Sequence, residues 1–163
     1  MKALVCGGRN LSPHDVWNYL ERHGHGDASD ALSRPSTAKI SAIIHGGASG
    51  ADKGGADWGE SEGIRVVAYR ANWKKYGKAA GPIRNAQMLL EGKPDIVIAF
   101  PGGRGTDDMV RQAREHGVPV VFPAEAVSRG LAAHSRRRPR PSEASLPTPL
   151  ARRPTSAAHP RAR

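Results

Sequence analysis

Three stretches of this 163-residue chain place glycines and polar side chains directly after short apolar runs: Gly7-Gly8-Arg9-Asn10, residues 45–52 (HGGASGAD) and residues 101–106 (PGGRGT). Glycine lets backbone N–H groups approach a ligand closely. Where such a stretch opens a helix, the unpaired N–H groups and the helix dipole favour an anion. Phosphate is the natural guess. The residues expected to line the site are Gly7, Gly8 and Arg9 from the first stretch, Gly46, Gly47, Ala48 and Asp52 from the second, and Pro101, Gly102, Gly103, Gly105 and Thr106 from the third. A fourth segment, residues 71–85 (ANWKKYGKAAGPIRN), adds Asn72, Trp73, Gly81, Arg84 and Asn85. An arginine in the first turn of a helix opposes the dipole, a cost that a bound anion removes. Trp73 and Tyr76 either stack on a base or anchor their lysine-rich loop to the body. Neither GxxxxGK[ST] nor GxGxxG occurs, which disfavours an ordinary ATPase or NAD dehydrogenase. Cys6 closes an apolar run with nothing nearby to lower its pKa and reads as an inert core thiol. The histidines show no zinc-ligand spacing, so neither metal nor cofactor is expected.

The elements that must hold these residues are legible as alternating patterns. Continuous apolar runs at 2–6, 40–44, 64–69, 95–100 and 118–122 read as strands covered on both faces. Between them lie helix patterns: one opened by Ser12-Pro13-His14-Asp15 with Val16, Trp17 and Leu20 as its stripe, then 51–63, 82–91 and 106–116. For the helix at 82–91 the expected inner stripe is Ile83, Ala86/Gln87 and Leu90, leaving Arg84 and Asn85 off it. Four strand-helix-strand units imply a parallel α/β sheet with right-handed crossovers. All the glycine-rich stretches then lie on one edge. If the strand order is 3-2-1-4-5, the first and fourth loops flank the switch point where open α/β sheets form a ligand crevice.

Composition bounds the remainder. One cysteine excludes a disulfide scaffold, and the longest apolar run, 96–100, is far short of the roughly 20 residues that a bilayer demands. No membrane association is expected. Residues 1–10 lack a signal-peptide core, which makes a cytoplasmic location the expectation. The net charge of +10 is split unevenly: residues 1–130 hold 17 Lys+Arg against 14 Asp+Glu, whereas residues 131–163 hold 8 against 1. That last part also has 6 of the 13 prolines and only three leucines as large apolar residues. It reads as disordered, because it cannot bury enough surface to offset its ordering entropy. The expected organisation is one domain over 1–128, with a surface loop at 24–39, followed by a basic tail over 129–163 that either attracts nucleic acid weakly and without sequence preference or serves only as a solubilising extension.

GGR after the first strand, HGGASGAD after the second, NWKKYGKAAGPIRN after the third and DIVIAFPGGRGTDDM at the fourth together resemble the SLOG superfamily, and within it the YspA, cpYpsA-related branch. The resemblance covers nearly all of residues 1–122. It implies a Rossmann-like parallel sheet of about five strands, with helices on both faces, that binds nucleotides or nucleotide-derived ligands. The superfamily includes the Lonely Guy phosphoribohydrolases and the DprA-related DNA-processing proteins. Residues 101–106 match the phosphate-binding PGGxGT element, and Arg84 corresponds to the arginine that the Lonely Guy enzymes carry before that loop's strand. Their PGGxGTxxE glutamate falls on Met109, which can take no proton. Two readings follow: a nucleotide sensor without turnover, favoured by Met109, or an N-glycoside hydrolase in which Arg84 holds phosphate and Asp108 or Asp52 assists departure of the base.

Overall fold

A computed structural model describes residues 1–25 and 39–123. The elements run β1 (Lys2–Cys6), α1 (Pro13–His23), β2 (Ala42–His45), α2 (Ala51–Ser61), β3 (Arg65–Ala68), α3 (Trp73–Tyr76), a single 3-10 turn (Gly77–Ala79), α4 (Ala80–Leu90), β4 (Ile96–Ala99), α5 (Arg104–Glu115) and β5 (Val120–Val121). All four strand pairings are parallel, in the order β3-β2-β1-β4-β5. This is the Rossmann-like arrangement, with the order reversing between β1 and β4.

Strand periodicity builds two cores from one sheet, since successive side chains point to opposite faces. Ala3 and Val5 of β1, Ile96 and Ile98 of β4 and Phe100 just after it face α1 and α2, where they meet Val16, Leu20 and Trp58. Leu4, Cys6, Val97 and Ala99 face α4 and α5, where Met88, Leu89, Met109 and Ala113 cover them. The α2 helix reaches the first face by dispensing with side chains. A Cβ at Gly55 would stand 3.0 Å from the Val5 side chain, and one at Gly59 would stand 2.8 Å from Val66 Cγ2.

Several expectations are corrected. The third run is an edge strand, with Arg65 and Ala68 exposed and its valines half-buried, because β3 has a neighbour on one side only. The second run is shifted to 42–45 and the fifth shortened to two residues. Pro13 opens α1 as expected, but the Ser12 side chain makes no capping bond, and the buried face is Val16, Tyr19 and Leu20 with Trp17 only half-buried. The largest correction concerns α4. It begins at Ala80, so Arg84 lies in its second turn, and its inner face is Asn85, Met88 and Leu89, whereas Ile83 and Leu90 are exposed. Most of the loop expected at 24–39, and the tail expected from 129, lie outside the described residues. Among the described residues no helix is long and apolar enough to cross a membrane.

Candidate functional site at the carboxyl edge of the sheet

The loops after β1 and β4 touch at the switch point. Gly8 N–H donates to the Pro101 carbonyl (2.9 Å), and the Gly8 carbonyl accepts from Leu11 N–H and Ala51 N–H, both at 3.3 Å. Gly7 is pressed between α2 and β4: a Cβ there would stand 2.6 Å from Ala51 Cβ and 2.8 Å from Phe100 Cβ. Gly102 has no room either, with Thr106 on one side and Gly8 N on the other. Gly7 and Gly102 are thus required by the close approach of protein to protein.

The loop after β2 is folded on itself. Asp52, buried at the start of α2, accepts from Gly46 N–H (3.0 Å) and Ala48 N–H (3.1 Å) on one oxygen, and Gly47 N–H donates to His45 Nδ1 (3.3 Å). The N–H groups of residues 46–48 are therefore committed within the loop. What the loop presents is the Gly46 carbonyl, which accepts from Arg84 Nη1 at 2.7 Å. A side chain at 46 would occupy the space of the Arg84 guanidinium.

Arg84 begins a polar chain across α4 and α5. Its Nε donates to Asn85 Oδ1 (3.1 Å), and Asn85 Nδ2 donates to the Gly105 carbonyl (3.2 Å) and to Asp108 Oδ2 (2.8 Å). Asp108 also accepts from Gln112 (2.8 Å) and, on Oδ1, from Arg111 (2.8 Å). Burial pushes the Asp108 carboxyl up, but the bonds from Arg111, Asn85 and Gln112 outweigh it and hold the group below the usual carboxylate value. Arg84 is half-buried and has no ion-pair partner among the described residues. Burial lowers its pKa, the Asp52 carboxylate opposes that, and the positive charge of Arg9 adds to it.

The α5 helix starts at Arg104, with the Gly103 carbonyl accepting from Thr106 N–H (2.8 Å) and Asp107 N–H (3.1 Å). Among the described residues the N–H groups of Gly103, Arg104 and Gly105 donate to no protein acceptor. A Cβ at Gly103 or Gly105 meets nothing within 4 Å, so packing does not require glycine at either position.

The aromatic residues of the fourth segment remain outside. Trp73 is 51% exposed and Tyr76 40%, the Trp73 ring lying 3.5 Å from the Cβ position of Gly81 and Lys75 standing 4.9 Å from the Tyr76 ring centre. Asn72 spends its side chain capping α3, accepting from Lys75 N–H at 3.0 Å. Cys6 lies beneath the site, its thiol pushed up to about 12 chiefly by burial and then by Asp52. His45 is buried and its pKa is lowered, chiefly by that burial.

Sequence reasoning passed over Arg70. It stands two residues beyond β3, lies against Gly47 (3.4 Å from that Cβ position to Arg70 Cγ) and joins Arg84 among the charges that lower the His45 pKa. Its position at the end of a strand was the available signal. A surface hollow of about 470 Å³ lies elsewhere, lined by Ser12, Pro13, His14, Trp17 and Asp57. Its one charged side chain, Asp57, is paired with Lys53 Nζ at 2.8 Å, and none of the residues placed at the carboxyl edge lines it.

Fold and edge together define a Rossmann-like α/β domain whose arginines and open glycine loop converge at the switch point. The chain belongs to the YspA, cpYpsA-related SLOG family. The family profile matches residues 1–76. A "Gene 61 protein" of Mycobacterium phage D29 is 41% identical over 128 residues, spanning 74% of this chain and 94% of the phage protein.

Proposed function

We propose that the domain binds a nucleotide or nucleotide-derived anion at the carboxyl edge of the sheet and holds it without turnover. The observation that carries this reading is Arg84, a half-buried guanidinium bonded to Gly46 and Asn85 but paired with no carboxylate among the described residues. Removing a cation from water is costly; the nearby Asp52 carboxylate offsets part of that cost without forming an ion pair, and an anionic ligand supplies a direct counter-ion. Arg9 adds a second positive charge, and the unpaired N–H groups at the start of α5 add donors beside open space at Gly103 and Gly105. Membership of the SLOG family supports a nucleotide-related ligand.

The local chemistry argues against turnover. A general acid or base must have a free oxygen within reach of the substrate and a pKa near the working pH. Asp108 has both oxygens engaged and a lowered pKa, Asp52 is buried with one oxygen tied to two backbone N–H groups, and Met109 is buried in the core between α5 and the sheet.

The test is a thermal-shift series with AMP, ADP-ribose and NAD⁺ against inorganic phosphate. At least one nucleotide should raise Tm more than phosphate does, since a hundredfold excess over Kd stabilises the native state by about 2.7 kcal/mol. Arg84→Ala and Gly103→Val should each abolish the shift. Variants that respond like the parent would move the site elsewhere, and release of free base by the parent would overturn the absence of turnover.

A further inference from the structure

At the opposite edge of the sheet α1 and α2 both end, and three side chains converge there: Glu21 in the last turn of α1, His25 just beyond it and Glu62 at the C-cap of α2. His25 Nε2 lies 3.7 Å from Glu21 Oε1 and Nδ1 lies 3.6 Å from Glu62 Oε2, and one ligand atom from each residue lies within 4.8 Å of the other two. Those separations are too long for N–H···O hydrogen bonds. Because the two carboxylates approach different ring nitrogens, the relevant set is one nitrogen with one oxygen of each glutamate, all within 4.8 Å of one another; donors that share an ion through bonds of about 2.1 Å in tetrahedral geometry stand about 3.4 Å apart, so a small closure of these side chains brings all three onto one ion.

Two further observations point to a cation. Glu21 Oε2 accepts from the indole N–H of Trp58 (2.9 Å), whose fully buried ring stands edge-on to His25 at 5.9 Å. That fixes the carboxylate and leaves Oε1 turned towards His25, as an outer-shell donor does for a metal ligand. The field is also of the wrong sign for its contents. Two helix C-termini meet here; α1 carries Arg22 and His23 in its last turn, but α2 has no basic residue in its own, and Glu62 is a carboxylate placed where unpaired carbonyls and the dipole disfavour one. The imidazole brings at most one positive charge against two carboxylates.

We infer that Glu21, His25 and Glu62 bind one divalent transition-metal ion of the Zn²⁺ class. One imidazole nitrogen with two carboxylate oxygens suits Zn²⁺, Co²⁺ or Ni²⁺, whereas Ca²⁺ and Mg²⁺ favour all-oxygen sets. The ion would clasp α1 to α2 where the chain departs after Gly24, whose carbonyl accepts from Ile40 N–H (3.0 Å) when the chain returns. The site is independent of the anion-binding edge.

The experiment titrates the metal-free full chain with Zn²⁺ by calorimetry and with Co²⁺ by visible absorption and quenching of tryptophan fluorescence, Trp58 being the indole beside the ion. One equivalent should bind. His25→Ala and Glu62→Gln should each weaken it by at least about tenfold, while His23→Ala should leave Kd within about twofold. His25 is 40% exposed, so its removal spares the core, and His25→Ala decides the matter if Glu62→Gln fails to fold. A parent that binds no Zn²⁺ at 1 mM, or a His25→Ala variant that binds like the parent, overturns the assignment.

Discussion

Asp108 accepts from Asn85, Gln112 and Arg111 at once, and so fastens α4 to the first turns of α5. Its carboxyl is held below the ordinary value of 3.8, so in acid the unfolded chain binds the proton more readily than the folded one. The stabilisation is therefore complete above pH 3.8 and is lost as the pH falls through the lower folded value. Asp108→Asn should lower stability at neutral pH by about 1 kcal/mol or less, because Asp108 and Arg111 are screened by solvent. Urea midpoints should converge as the pH drops below 3.8; a difference that stays constant with pH would assign the loss to shape rather than charge. The same residue shows where sequence reading stops. Spacing could nominate a carboxylate near the glycine loop, but only the fold reveals that both of its oxygens are already committed.

At the scale of elements, strand identity was legible because continuous apolar runs are what a doubly covered sheet requires, and the glycine stretches punctuate them, whereas the strand order entered only as a condition that the structure meets. The α4 helix was misread for a physical reason. Hydrophobic periodicity assumes that polar residues face water, and here Arg84 and Asn85 turn inward to build the site while Ile83 and Leu90 turn out. A functional face inverts the pattern that would locate it. Glycines divide the same way, into those the fold needs and those it does not. A Cβ at Gly54 of α2 would strike the Pro13 carbonyl, a backbone atom that cannot rotate aside, and would stand 2.7 Å from Val16 Cβ. Gly54→Ala should therefore cost about 1–3 kcal/mol in spite of alanine's better helix propensity. Gly105→Ala, entering open space in the first turn of α5, should gain up to about 1 kcal/mol and weaken nucleotide binding. Chemical denaturation with parallel thermal-shift titrations measures both; a stabilised Gly54→Ala would show that α1 and α2 are not in the close contact described.

Across the whole molecule, most of the surplus positive charge lies in residues 131–163, where the sequence offers only three leucines as large apolar residues. Among the described residues both core clusters, with the half-buried residues against them, draw on residues from Met1 to Val121. Residues 131–163 carry 8 arginines and 1 glutamate, so removing them takes the net charge from +10 to +3. Stability should follow the packing and nonspecific nucleic-acid attraction the charge. Truncation after residue 130 should move Tm by less than about 2 °C, a fraction of a kcal/mol for a domain of this size. The full chain should bind duplex DNA with an affinity that falls steeply with salt, the slope of log K against log[salt] approaching about −0.9 for each phosphate neutralised. The truncated chain should lose most of that binding and the steep slope, yet keep its thermal shift with nucleotide, because Arg9, Arg84 and the α5 N-terminus remain. Measuring both ligands on both chains separates the two sources of positive charge. Undiminished DNA binding by the truncated chain at low salt would place the nucleic-acid contact on the domain itself, where Arg9, Arg70 and Arg84 gather at the sheet edge.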